Sequence, residues 1–225
     1  MSEQRKRLFD LSDVSLYFVT TPPRDGTTYA DLVAGACAGG ADIVQLRDKK
    51  LSTRDLLRLA KELQTICDRT GALFVLNDRV DVALAADVDG VHVGQDDLPV
   101  RHARALLGHR KLIGCSTHSP AQALAAVGDG ADYISCGPVF ATPTKPDYAP
   151  VGLALIKEYN RLVRIPFVAI GGIDLDNVDR AIAAGADRVA VVRAVGEAAD
   201  PAVAARALKE KILKAKAQRH AVAPR

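Results

Sequence analysis

The tripeptide GAD recurs at residues 40–42, 130–132 and 185–187, each time after an Ala-rich segment and before an apolar one. The stretches read "GADIVQLRDK", "GADYISCGPV" and "GADRVAVVRA", and a variant, "AADVDGVHVGQDD", occupies 85–97. A helix ended by Gly, a tight turn and then a buried strand accounts for each of them. Repetition of that unit means repeated αβ steps. Apolar bursts place strands near 15–20, 42–46, 73–77, 89–93, 112–115, 132–136, 166–170 and 188–192, and most intervals carry helical patterning, as in "TRDLLRLAKELQTICDRTG". Eight strands alternating with eight helices predict parallel strands with crossover helices, and eight can close into a single-domain α/β structure, the (β/α)8 TIM barrel. The rival is an open doubly wound sheet, weakened because no Gly-rich fingerprint follows the first strand, "SLYFVTTPPRDG". The barrel is expected over 13–217, with flexible tails at 1–12 and 218–225.

Composition agrees with that architecture. The chain is 48% hydrophobic but only 4% aromatic and has no Trp, so its packing is aliphatic, as buried parallel strands require. A net charge of +3 over 225 residues makes no electrostatic case for nucleic acid, while leaving room for a local site for a phosphorylated small molecule. Cys37, Cys67, Cys115 and Cys136 form no CxxC pair, which argues against a zinc knuckle or disulfide scaffold and for a reducing cytoplasm. "MSEQRKRLFD" is followed by no apolar h-region, and no run is long enough to span a membrane. The basic end, "LKEKILKAKAQRHAVAPR", reads as a solvated helix face and a frayed tail.

In such a barrel the loops leaving the C-terminal ends of the strands build the active site. Read in that order, strand two leads into Gln45, Arg47 and Lys49, and strand three ends in Asn77 and Asp78. Strand four is followed by Gln95, Asp96 and Asp97, and strand five ends in Ser116 with His118 beyond. Strand six feeds "GPVFATPTKPD", a loop stiffened by Pro138, Pro143 and Pro146 that carries Thr142, Thr144 and Lys145. Strand seven ends in Gly171-Gly172 and strand eight in Val192-Arg193.

Nearly every strand thus delivers a polar, charged or Gly group to one rim. Arg47, Lys49 and Lys145 on separate loops suit a polyanion. Asp78 and Asp97 would repel each other without a cation between them, and hard carboxylates with few other ligands suit Mg²⁺. Gly-Gly followed by the helical "LDNVDRAIAAGA" suits a phosphate at a helix start. Simpler roles stay open at several positions. Gln45, Arg47 and Lys49 also fit an exposed strand end, Asn77-Asp78, Asp96 and Asp97, and Ser116 or Ser119 also fit helix caps, and His118 reads as a structural or rim histidine rather than a base. Asp174 and Asp176 read as helix-start residues, and His92 as packed inside the barrel.

The segments "VQLRDK", "LNDRVDVALAADVDGVHVGQDDLP", "IGCSTHS", "GADYISCGPVFATPTKPD" and "FVAIGGI", in this order and spacing, resemble the thiamine phosphate synthase family across nearly the whole chain. The resemblance implies a (β/α)8 enzyme that joins a hydroxymethylpyrimidine diphosphate to a thiazole phosphate and releases pyrophosphate, with Mg²⁺ as cofactor. By motif it implies that Gln45, Leu46, Arg47, Asp48 and Lys49 grip the pyrimidine diphosphate, together with Asn77, Ser116 and Lys145. Catalytic roles then fall to Arg47, Lys49, Ser116 and Lys145. Asp78 and Asp97 match the metal ligands. Thr142, Pro143, Thr144, Gly172, Val192 and Arg193 match the thiazole phosphate site. Many family members have a small hydroxyl residue where this chain has Arg193, so that arginine either pairs with the phosphate or points away.

Partners implied are these small-molecule substrates, with no nucleic acid and no membrane; a homo-oligomer is compatible with the sequence. Two other readings use a similar barrel: the related thiazole tautomerase, and a non-catalytic sensor of thiazole or thiamine phosphate. Arg47, Lys49, Asp78, Asp97 and Lys145 favour the synthase, because a tautomerase has no diphosphate to bind.

Overall fold

The structure, a computed structural model, describes residues 11–24, 26–143 and 149–222. Eight parallel strands close on themselves in sequence order: β1 (Leu16–Val19), β2 (Ile43–Leu46), β3 (Leu73–Asn77), β4 (Gly90–Val93), β5 (Leu112–Thr117), β6 (Tyr133–Cys136), β7 (Phe167–Ile170) and β8 (Val189–Val191). The ring shuts where β1 pairs with β8, Tyr17 opposite Ala190. Helices α1 (Tyr29–Ala38), α2 (Thr53–Thr70), α3 (Val80–Ala86), α4 (Val100–Leu107), α5 (Pro120–Gly128), α6 (Gly152–Leu162) and α7 (Val178–Ala183) follow the first seven strands.

After β8 the expected single helix is two: α8 (Arg193–Gly196) and α9 (Pro201–Val222). Pro201 opens α9, where its missing N–H costs nothing. The α9 helix continues past 217, where the tail was expected to begin. At the other end Leu11 is buried, so the packed chain starts before residue 13. Expectations for residues 1–10 and 223–225 lie outside the described residues.

Strand alternation sorts the apolar residues into two layers. Leu16, Phe18, Val44, Leu46, Phe74 and Leu76 point outward and pack under the helices. Tyr17, Ile43, Val75, Tyr133, Val168 and Ala190 fill the barrel interior, closed below by Leu11 and Val14.

The GAD repeat belongs to the N-terminal face. Its glycines have φ of 94° (Gly40), 95° (Gly130) and 114° (Gly185), a region that side chains with a Cβ rarely enter. Its aspartates do more than end a turn. Asp42, just before β2, accepts from the N–H groups of Ser15 and Leu16 at 2.8 and 2.9 Å, and Asp132, before β6, accepts from Ile113 N–H at 2.8 Å. In the variant repeat Asp89 accepts from Phe74 N–H at 2.8 Å. Each carboxylate therefore satisfies a backbone donor at the start of the preceding strand. Three repeat aspartates also take a cation from an outer helix: Lys209 on Asp42, Arg104 on Asp132, Arg219 on Asp187.

Candidate active site

A pocket of about 670 Å³ opens at the C-terminal end of the barrel, and every strand or the loop after it contributes to its wall. Its floor is a hydrogen-bonded series crossing the barrel interior. Gln45 Nε2 donates to Tyr17 Oη at 2.7 Å, Tyr17 and Tyr133 hydroxyls meet at 2.9 Å, Tyr133 Oη lies 3.2 Å from His92 Nδ1, and His92 Nε2 lies 3.0 Å from Ser116 Oγ. Gln45, Tyr17, His92 and Tyr133 are all buried. Burial drives the hydroxyl pKa values of Tyr17 and Tyr133 upward, so both remain neutral. The series fixes the rotamers of Gln45 and Ser116, the two pocket residues at its ends. His92 is packed inside the barrel as expected. Tyr17 and Tyr133 were missed, although a Tyr inside the strand segments "SLYFVT" and "ADYISC" signals a hydroxyl that needs a buried partner.

Asn77, Asp78, Asp97, Arg47 and Lys49 stand together on one side of the rim. Asp78 has φ of 61° and lies in the turn before α3, whose N-cap is Arg79; no side chain caps that helix. Asp97 does not cap α4 either, since the N-cap is Pro99; its Oδ2 accepts from Gly94 N–H at 2.7 Å instead. The capping alternatives for both aspartates are thus set aside.

Burial, then the facing Asp97 carboxyl, which shares a hydrogen bond with Asp78, push the Asp78 carboxyl above the usual range. Lys49 opposes this from 3.4 Å. Two carboxyls held this close favour a proton or a cation between them. Among the described residues no third His, Cys, Asp or Glu joins them to make a complete metal cluster. That donor set fits a hard divalent cation completed by water and substrate oxygens. Asp48 and Leu46 take no part in the pocket wall: Leu46 is in the layer under the helices, and Asp48 bonds to Tyr29 Oη at 2.6 Å.

Opposite, Gly171 and Gly172 follow β7 with φ of 103° and 63°. A Cβ on Gly171 would lie 2.5 Å from Pro138 Cα, and one on Gly172 would lie 2.6 Å from the Ala141 carbonyl. The two glycines let the loop after β6 lie against β7, where Val139 and Phe140 N–H donate to Ile170 and Gly171 carbonyls at 2.8 and 2.9 Å. Thr142 and Gly172 reach the pocket; Pro143 is exposed and outside its wall. Thr144 and Lys145 lie outside the described residues.

The helical run expected from Leu175, with Asp174 and Asp176 at its start, begins slightly later. The α7 helix begins only at Val178, after a turn closed by Asn177 Nδ2 donating to the Gly172 carbonyl at 2.8 Å. Asp174 and Asp176 are in that turn, with Asp176 N–H donating to Asp174 Oδ1 at 2.9 Å. Val192 and Arg193 lead into α8 and line the pocket. The half-exposed Arg193 guanidinium is 3.9 Å from Glu197, which also faces Arg24 at 3.8 Å. His118 Nδ1 bonds the Gly137 carbonyl, and the residue also lines the pocket.

Cations and paired carboxyls on one side of a (β/α)8 rim, with a glycine turn on the other, define a barrel of the class suited to anionic small molecules. The comparisons with known proteins narrow the class. A family model described as thiamine monophosphate synthase matches residues 16–195, and the chain belongs to that family. A thiamine-phosphate synthase of Methanoculleus marisnigri is 51% identical over 86% of this chain and 92% of its own length. One of Gloeobacter violaceus is also 51% identical, over 81% of this chain, but the match spans only about half (52%) of that longer protein. The solved thiamine phosphate pyrophosphorylase of Pyrococcus furiosus superposes with a TM-score of 0.83 at 36% identity, covering 95% of this chain and 99% of that one.

Proposed function

We propose that this chain is a thiamine phosphate synthase, an alkyl transferase that condenses 4-amino-2-methyl-5-hydroxymethylpyrimidine diphosphate with 4-methyl-5-(2-phosphoethyl)thiazole, or its carboxylated form, and releases pyrophosphate. The observation that carries the reading is the half-buried Asp78–Asp97 pair beside Lys49 and Arg47 on a single rim. Such a site has no use in a tautomerase or a sensor that never meets a diphosphate.

Asp78 and Asp97 would hold Mg²⁺, which supplies positive charge to a diphosphate as it leaves. Arg47 and Lys49 grip the same diphosphate, with Lys145 from the loop after β6. Gln45, Asn77 and Ser116 orient the pyrimidine ring, the first and last being set by the Tyr17–Tyr133–His92 series. Thr142, Gly172, Val192 and Arg193 receive the thiazole phosphate. The electron-rich aminopyrimidine delocalises the charge left as pyrophosphate departs, and the thiazole nitrogen attacks its methylene carbon. No protein nucleophile is needed, so positioning and electrostatics carry the catalysis. The four cysteines are buried free thiols, in keeping with a reducing cytoplasm, and among the described residues no helix is long and apolar enough to cross a membrane.

Purified protein with Mg²⁺ and both substrates should release thiamine phosphate and pyrophosphate in equal amounts, and EDTA should abolish both. If neither product forms while thiazole phosphate still binds, the tautomerase or sensor reading replaces this one.

A further inference from the structure

We infer that Tyr29 and Asp48 are positioning residues that set where the loop between β2 and α2 presents Arg47 and Lys49 to a diphosphate. The inference takes its ligand from the synthase reading, and its geometry stands apart from it. Asp48 sits in sequence between the two cations, yet its carboxylate turns away from the pocket. Oδ2 accepts from Tyr29 Oη at 2.6 Å, while Oδ1 accepts from the N–H groups of Lys50 at 2.6 Å and Leu51 at 3.0 Å. On the other side of the loop, Arg47 N–H donates to the buried Thr20 Oγ1 at 3.0 Å. The loop is therefore tied to α1 through Tyr29 and to the end of β1 through Thr20.

Those ties matter because the cations they carry have long, flexible stems. A lysine or arginine on a loose loop must be ordered again each time a ligand binds, whereas one on a fixed backbone is already aimed. Lys49, one residue beyond Asp48, ends 3.4 Å from Asp78, the position from which it can also reach a diphosphate held there. The tie itself is strong. Burial disfavours the Asp48 carboxylate, but the hydrogen bonds from Tyr29 and from the Lys50 and Leu51 N–H groups outweigh it and hold its pKa below the ordinary value. Burial and the adjacent carboxylate push Tyr29 upward, so the hydroxyl keeps the proton it donates. All three bonds to Asp48 are charge-assisted, the stronger kind.

The test uses the full chain with Tyr29→Phe, Asp48→Asn and Asp48→Ala. Calorimetry gives the Kd of inorganic pyrophosphate in the presence of Mg²⁺, and kinetics give KM for each substrate separately. Asp48→Ala removes all three bonds and should raise the pyrophosphate Kd and the KM for pyrimidine diphosphate by about tenfold, only part of their combined worth because the tie of Arg47 to Thr20 remains. Tyr29→Phe, which removes one bond of three, should raise both by about threefold. Asp48→Asn keeps an acceptor for the backbone N–H groups and should fall between. KM for thiazole phosphate should not move.

Unchanged pyrophosphate Kd and pyrimidine diphosphate KM in Asp48→Ala would overturn the inference, even if Tm falls, because the contact would then serve stability alone. A wild-type chain that does not bind pyrophosphate overturns it as well. If the wild type binds pyrophosphate but makes no thiamine phosphate, the synthase reading fails and the Kd series still decides the positioning role.

Discussion

Arg47→Ala is expected to lower kcat by about 10²–10³, the usual cost of losing a charge partner that acts most strongly as the transition state forms. The residue stands on the pocket wall beside Lys49, and its backbone N–H is already anchored to Thr20. Truncating the side chain leaves that anchor intact, so Tm should hold while turnover falls. Arg47→Lys should recover only part of the loss, because an ammonium is a point charge and a guanidinium fork grips two phosphate oxygens. Stopped assays of pyrophosphate release would measure it. Near-normal turnover in Arg47→Ala would remove the residue from the machinery. Lys145→Ala, assigned by motif alone, is expected to lose a similar factor.

The opposite face of the barrel should respond in the other currency, stability without activity. Arg104 donates from one guanidinium to the carbonyls of Gly108, Lys111 and Gly130 and to Asp132, whose carboxylate also holds Ile113 N–H. Its side chain is only 10% exposed and that of Asp132 18%, so the pair is largely out of water. Removing one member of a buried pair strands the other, at a cost of about 3–5 kcal/mol. Asp132→Ala should therefore lower Tm by about 10 °C, taking roughly 2–4 °C per kcal/mol for a chain of this size. The kcat of the folded fraction should stay near wild type, since the pair lies at the N-terminal face. A shift under about 2 °C would mean that water already reaches the pair and screens it.

The alternating αβ pattern was legible because it is a local signal. A buried strand is a run of aliphatic residues, a helix a period of 3.6, and a GAD turn a Gly that must adopt positive φ, so each announces itself within about ten residues. The rim residues were legible for a related reason: once strand ends are known, parallel topology sends all the following loops to one face. Gln45, Arg47, Lys49, Asn77, Asp78, Asp97, Ser116, Thr142, Gly172, Val192 and Arg193 all line the pocket accordingly. Leu46 and Asp48 do not, because neighbouring residues in an extended segment point in opposite directions, and motif membership says nothing about which way each turns.

What the amino-acid order determined by itself is the number of αβ units, the face on which the polar groups collect and the family to which the chain belongs. What only the tertiary structure decided is how groups far apart in the chain meet. Tyr17 touches Tyr133 across 116 positions, and Lys209 reaches Asp42 across 167. Asp97 faces Asp78 instead of capping α4, and α7 starts at Val178 where the helical patterning begins at Leu175. The reason is physical: propensities and turn chemistry act between near neighbours, while a hydrogen bond across the barrel exists only after closure brings its two ends together.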